Sequence, residues 1–363
     1  MEMVRAVCPG IRVTGPNPVN AGPKGTMHDI WGPIRTVHRG WAADPEVRFN
    51  AAAGGALTAL GVFLIDSGKV EAVLHVRAST ENPMLTDAQI STTADEVISG
   101  AQSRYGPAAP LVHVRRLLDE GKRFAVIAKP CDIAAIRNLG RIDSRVSNQI
   151  PYCLTNFCGG LPSSLTAKKI AKYHGLEPNE VSVFRFRGNG WPGPLHVEDK
   201  GGSSYDLTYL QAWDRDKPWT YDLQFRCKIC PDAIGELSDV ACPDAWIMKD
   251  GKPLFEEAPG ANVLVARTER GEALVADAAA AGAIELAPYG IDEFDAMHVN
   301  HLPRKLGLAA RLAGVRFGGA PTPEFRNYRA LRTMITAGFR QTMDSFLGTR
   351  RRVRSGANQE PLT

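Results

Sequence analysis

Three short loops carry four of the seven cysteines of this chain: Lys129-Pro-Cys131-Asp, Asn156-Phe-Cys158-Gly-Gly160 and Arg226-Cys-Lys-Ile-Cys-Pro231. Each sits at the end of a predicted strand or is marked by Pro or Gly. Such loops set a thiolate at the edge of a sheet without burying an unpaired charge, and soft thiolates suit either iron–sulfur clusters or zinc. An odd number of cysteines in a chain with no export signal reads poorly as a disulfide framework and better as metal or redox ligands. A structural zinc usually draws on two nearby ligand pairs, whereas here there is one Cys-x-x-Cys and the other cysteines are single. Buried, unliganded thiols are the plain alternative.

The segments around these loops alternate in period. Residues 50–68 are small and apolar and stop at Gly68, as a tightly packed helix does, and residues 70–76 are a β-branched strand. Thr93 can cap a further helix, and another runs through Leu118. Residues 123–128 form a buried strand, 132–139 a helix, 149–157 a strand, 163–174 a helix stopped by Gly175, and 181–187 a strand. The predicted class is α/β with a largely parallel sheet. The Gly- and Pro-rich loop at 188–193 can bring backbone very close to a ligand, and extended segments follow at 196–205 and 206–213. A strand at 261–267 and an Ala-rich helix at 274–281 suggest a small C-terminal α/β unit. The organisation expected is a Gly/Pro-rich wrap over 1–45, a main domain over 46–250, the small unit with a helical extension over 251–350, and a disordered tail over 351–363.

With 363 residues the chain can bury an ample core without staples. A formal net charge of +4 from mixed signs gives no electrostatic case for nucleic acid, and the run Arg350, Arg351, Arg352, Arg354 reads as a solvated end. No segment approaches the roughly 20 apolar residues that span a bilayer, so no membrane partner is expected and the cytoplasm is the expected location.

Together with their neighbours, the cysteine loops resemble the beta-subunit family of coenzyme F420 hydrogenase and dehydrogenase, which includes 7-hydroxymethyl chlorophyll a reductase-like enzymes. The resemblance rests on Gly54-Gly-Ala-Leu-Thr-Ala59, Ser103-Arg-Tyr105, Pro130-Cys-Asp-Ile-Ala-Ala-Ile-Arg137, Phe157-Cys-Gly-Gly-Leu-Pro-Ser163 and Phe186-Arg-Gly-Asn-Gly-Trp-Pro-Gly193. It continues through Cys227-Lys-Ile-Cys230, Ser238-Asp-Val and Val265-Ala-Arg-Thr-Glu-Arg-Gly271. It implies a non-Rossmann α/β domain binding FAD, and a [4Fe–4S] cluster on Cys131, Cys158, Cys227 and Cys230. Cys153 and Cys242 are then spares, although Cys242-Pro243 departs from the family pattern and Cys242 could displace an assigned ligand. Many members carry ferredoxin-like cysteine runs before this domain. Here only Cys8 stands near the start, and it reads as a free thiol beside the remnant of such a segment.

Within that resemblance, Asn50, Gly54, Gly55 and Thr58 are expected to seat the flavin pyrophosphate at a helix entrance. Close helix packing is the competing reason for the two glycines. Ser103, Arg104 and Tyr105 would meet ribose, phosphate or ring, Lys129 would place a positive charge near the flavin, and Gly188 and Gly190 would let backbone approach. Arg187, Trp191 and His196 would face the substrate, while His75 and His113 read as ordinary core or surface residues. The implied chemistry couples hydride exchange with reduced coenzyme F420 or an organic substrate to single-electron exchange with ferredoxin or another redox subunit. A homo-oligomer is compatible with this. The rival classes are a non-catalytic electron-transfer subunit and a zinc-stabilised binding protein.

Overall fold

A computed structural model describes residues 2–17, 22–214, 216–219 and 223–359. Eight strands form one sheet in the order Ile284–Pro288, Thr36–Ala42, Asn262–Ala266, Val240–Ala241, Tyr152–Thr155, Phe124–Ile127, Ala72–Ala78, Thr86–Ser91. The four strands at 240–241, 152–155, 124–127 and 72–78 run parallel to one another. The remaining pairings are antiparallel. The expected largely parallel sheet is therefore parallel over its centre, where helical crossovers connect the strands, and antiparallel over its flanks.

Side chains alternate between two cores, as the pleat requires. Val73, Ala125, Leu154 and Leu264 face the helices Ala56–Asp66 and Glu269–Ala280. Leu74, Phe124, Val126 and Cys153 face the helix Pro130–Leu139 through Ile133 and Ile136. Burial on both faces explains why these strands read as continuous apolar runs. A separate three-stranded antiparallel sheet, Val181–Arg185, Leu195–Asp199 and Ser204–Leu207, packs Phe184, Leu195 and Val197 against the helix Leu165–Tyr173.

Several expectations need correction. The N-terminal wrap ends before Thr36, because Thr36–Ala42 is a strand inside the main sheet. The strands at 262–266 and 284–288 join that same sheet on either side of it, so they form no separate C-terminal α/β unit. Local periodicity reports a strand but not its partner. The helix expected from residue 50 starts at Ala56; Gly55 precedes it at φ 73°, a left-handed conformation that stops the helix from extending backwards. Residues 209–212, expected to be extended, form the helical turn Tyr209–Ala212, because Thr208 and Gln211 make a reciprocal capping box.

The tail is the largest difference. Residues 351–354 close a long helix, Ala330–Arg354, which breaks at Gly338 (φ 73°). Val353, buried against Val315 and Ile229, anchors its end. One apolar anchor among arginines carries no compositional signal. Residues 360–363 of the expected disordered tail lie outside the described residues.

Candidate functional site

The carboxyl ends of the parallel strands open onto a cavity of about 220 Å³. This is where ligands bind in open α/β sheets. Its wall takes Lys129 from beyond the strand at 124–127, Asn156 from beyond 152–155, and Cys242 and Asp244 from beyond 240–241. Across from them stand Gly55 and Thr58 at the start of the helix Ala56–Asp66, and Ser103 and Tyr105. Gly55, Thr58, Ser103, Tyr105 and Lys129, all singled out from the sequence, thus share one cavity. The N–H groups of a first helical turn have no intrahelical partner; that of Ala56 donates to Asn262 Oδ1 at 3.2 Å, while Leu57 and Thr58 line the cavity. Asn262 also donates to the carbonyls of Cys242 (3.2 Å) and Pro243 (3.3 Å), which ties the helix start to the far wall.

Asn50, Gly54, Gly188 and Gly190 do not line this cavity. A Cβ on Gly54 would lie 2.7 Å from Ala261 Cα, so this glycine permits backbone packing beneath the loop. Gly188 (φ 135°) lets its chain approach the carbonyl of Asn50, and Gly190 N–H donates to Phe49 O at 2.9 Å. The glycine loop is fastened to the segment before the helix and shapes the cavity from behind.

Arg187 makes the central fastening. It is 3% exposed and donates to Asp244 Oδ2 (2.9 Å), Ala52 O (2.7 Å) and Pro192 O (2.9 Å). Its guanidinium also packs near the rings of Tyr209, Trp191 and Trp246. Burial works against its charge, but Asp244, Tyr105 and Tyr209 more than offset this and hold it protonated. The position expected to meet substrate is thus a buried positioning residue, whose partners Asp244 and Tyr105 are the groups that reach the cavity. Trp191, 2% exposed, packs on Trp246 at 4.6 Å between centroids and is a core aromatic. His196 belongs to the three-stranded sheet, where Nδ1 lies 2.9 Å from Asp206 Oδ1, and does not reach the cavity. His75 lines the cavity but is engaged by Ser91 Oγ (2.7 Å) and the Val76 carbonyl (3.2 Å), with burial lowering its pKa. Arg104 also lines the cavity, yet its guanidinium clamps the carbonyls of Phe184, Pro83 and Leu85, each at 2.7 Å.

The four cysteines of the loops gather beside this cavity. Cys131 occupies the first turn of the helix Pro130–Leu139, and Cys158 follows the strand at 152–155, its N–H donating to Ala233 O at 2.8 Å. Cys227 lies in the short helix Phe225–Lys228, where Leu161 N–H approaches its Sγ at 3.3 Å. Burial, then Asp132, raises the Cys131 pKa, and Cys230 and Cys158 oppose its ionisation further. Cys158 is pushed up to about 11 by burial, with Cys230 and Cys227 adding to the effect. Cys230 is raised by burial and is likewise opposed by Cys227. Cys158 and Cys230 therefore each lie within electrostatic reach of the other three loop sulfurs. Cys242 is raised by burial alone, and Cys153 sits in the core beneath the sheet with its N–H on Asp239 Oδ2 (2.8 Å).

Among the described residues no three Cys, His, Asp or Glu side chains converge closely enough to hold one metal ion. A four-iron cluster gives each thiolate its own iron and so asks for a wider set of sulfurs. Lys129 joins the two places: it lines the cavity and pairs with Asp132 Oδ2 at 2.7 Å. Burial opposes its charge, but Asp132 first, then Cys131 and Cys158, favour it.

Sequence reasoning missed Asp244, Asn156 and Asn262 as cavity residues. The available signal was a polar residue where an apolar strand begins or ends, as in Asn262 at the head of Asn-Val-Leu-Val-Ala.

The family description "Coenzyme F420 hydrogenase/dehydrogenase, beta subunit" matches the chain in both its parts, the N-terminal one over residues 37–115 and the C-terminal one over residues 121–291. An F420-dependent formate dehydrogenase 1 subunit beta from Methanococcus maripaludis is 26% identical over 65% of this chain and 57% of its own length. The F420-dependent formate dehydrogenase subunit beta of Methanocaldococcus jannaschii is also 26% identical, over 68% of this chain and 60% of its own. The chain thus spans less than two thirds of these formate dehydrogenase subunits. The coenzyme F420 hydrogenase subunit beta of Methanothermobacter thermautotrophicus is 22% identical over 71% of this chain and 86% of that protein. In the solved F420-reducing [NiFe] hydrogenase complex from Methanosarcina barkeri, one chain shares the fold, with a TM-score of 0.56 and 18% identity over 74% of this chain and 90% of that one. With both halves of the main sheet matched and the cysteine loops inside the matched range, the chain belongs to the coenzyme F420 hydrogenase/dehydrogenase beta-subunit family.

Proposed function

We propose that this chain is a redox subunit that binds FAD in the cavity at the strand ends and a [4Fe–4S] cluster on Cys131, Cys158, Cys227 and Cys230. The observation that carries this reading is the continuity of the two places, with Lys129 shared between them. When bound, FAD supplies two-electron exchange with an organic partner, and the cluster supplies one-electron exchange.

The residues present fit both groups. The donor set is four thiols, the set a four-thiolate cluster takes, with the Lys129 cation beside it. The cavity combines a helix entrance, the left-handed Gly55, a half-buried ammonium and an aromatic ring. Leu57 and Thr58, at the positive end of the helix Ala56–Asp66, offer the N–H groups that a pyrophosphate takes. Lys129 favours negative charge in both halves of the site. Tyr105, held edge-on against Phe186 and Trp213, presents a rigid wall to a planar ring. At about 220 Å³ the enclosed space falls short of the roughly 300–1,000 Å³ of a typical cofactor site, so it takes one end of a dinucleotide and leaves the other at its open mouth.

Reduced coenzyme F420 is the two-electron partner best supported, because the names of the matched relatives carry it. The test is anaerobic mixing of reduced F420 with the reconstituted full chain, followed by optical and electron paramagnetic resonance spectra. Loss of the oxidised flavin bands together with a reduced-cluster signal is expected. Neither change, with both cofactors loaded, would rule F420 out and send the search to other organic donors.

A further inference from the structure

Residues mostly beyond the matched family range line a second surface. The helices Leu308–Gly318 and Ala330–Arg354 lie against each other and border a groove of about 1640 Å³. Among the described residues its lining holds eight Lys and Arg side chains, among them Lys228, Arg311, Arg340 and Arg351, against one carboxylate, Asp344. A protein of net charge +4 thus concentrates its imbalance in one place. The arginine run that reads as a solvated end lines this groove.

The groove abuts the cysteines. Lys228 lies between Cys227 and Cys230, and Arg311 donates to its carbonyl at 3.1 Å. Arg304 donates to the carbonyl of Cys158 at 3.2 Å and to that of Gly159. Apolar side chains are exposed within the basic lining and beside it: Val299 and Leu347 in the groove, and Phe339 and Ile335 on the same long helix.

We infer that this groove is the docking seat of a small acidic one-electron carrier protein, which exchanges electrons with the cysteine site that lies behind Lys228 and Arg304. This rests on the cluster reading given above. Charge complementarity selects an acidic partner and speeds encounter. Exposed apolar groups set among charged ones, Val299 and Leu347, give a protein partner something to bury, and carrier complexes of this kind are small and weak. A flat bilayer cannot enter a concave groove, and a phosphate backbone has no use for the exposed Val299 and Leu347.

The test uses the anaerobically reconstituted full chain, with a purified acidic bacterial-type ferredoxin as probe and calorimetry at low and physiological salt. The double variant Arg340→Glu/Arg351→Glu is compared with Arg115→Glu/Arg116→Glu, a pair on the exposed helix Val114–Asp119 away from the groove. Binding that weakens with salt and falls by roughly tenfold or more in the first variant, within about twofold of wild type in the second, is expected. Equal affinity in all three proteins overturns the inference. So does binding of duplex DNA or of phosphatidylglycerol vesicles through Arg340 and Arg351 with none of ferredoxin. Iron and flavin are measured on the same samples. Full cofactor content without ferredoxin binding sinks the docking seat alone, whereas groove-dependent ferredoxin binding by a protein that takes up no iron keeps the seat and removes the cluster reading.

Discussion

Arg187 and Asp244 form an ion pair at 2.9 Å in which the arginine side chain is 4% exposed and the carboxylate 26% exposed. The arginine is thus spent on the structure, and the carboxylate stands between it and the cavity. Removing the carboxylate leaves a guanidinium that is held protonated in a dry setting. Asp244→Ala should therefore cost about 3 kcal/mol of stability, and Asp244→Asn, which keeps an acceptor, about half as much. Chemical denaturation checks both. A loss below about 1 kcal/mol for Asp244→Ala would mean that water reaches Arg187.

The four loop cysteines should behave alike and the other three differently. Cys131→Ser, Cys158→Ser, Cys227→Ser and Cys230→Ser are each expected to abolish or sharply reduce bound iron. Cys8→Ser, Cys153→Ser and Cys242→Ser should retain it, since Cys8 follows the N-terminal helix Glu2–Val7 and the other two are buried in the cores on the two faces of the sheet. Iron analysis decides, and loss of iron in Cys242→Ser would move the fourth ligand to that position.

The adjacent glycines separate packing from binding. Gly54→Ala drives a Cβ to 2.7 Å from Ala261 Cα, in backbone that cannot yield, and should destabilise by at least about 2 kcal/mol. Gly55→Ala meets Val47 O at 3.0 Å and must also hold φ 73°, a conformation costing about 1–2 kcal/mol. Because Gly55 lines the cavity, its variant should also release FAD more readily. Fluorescence of the released flavin at equal folded fraction tests this, and unchanged retention would place the pyrophosphate elsewhere.

His298 gives the fold an acid limit. Packed against Trp31, Phe157, Phe294 and His301, it has its pKa lowered to about 3, by burial first and by His301 second. The unfolded chain takes up a proton near the ordinary value while the native state refuses it. Stability is therefore full above about pH 6.5 and falls as pH drops towards 3, by about 1.4 kcal/mol per unit. His298→Phe should remove about 2 kcal/mol of the stability difference between pH 7 and pH 5, measured by urea unfolding. An identical pH dependence in wild type and variant would contradict the burial of a neutral imidazole.

Much of the site was legible because its parts are local. Gly55, Thr58, Lys129 and the cysteine loops sit at helix starts and strand ends, where short-range patterns are strong. What failed was non-local. Arg187 and Trp191 lie in a Gly- and Pro-rich loop that looks made for a ligand, yet the loop is fastened to residues 49–52 and to Asp244, contacts that no local pattern reports. The strand at 262–266 inserts between 240–241 and 36–42, which turns an apparent separate unit into the middle of the main sheet. The tail held to the body through Val353 was hidden by its arginines.

A flavin and a cluster are expected side by side in one chain. The most direct measurement is quantification of flavin, iron, sulfide and zinc in a single anaerobically reconstituted sample of the full chain, with its visible spectrum. About one FAD and about four irons per chain, with matching sulfide, are expected. Zinc in place of iron and no flavin would contradict this and leave a zinc-stabilised binding protein on a redox family's fold.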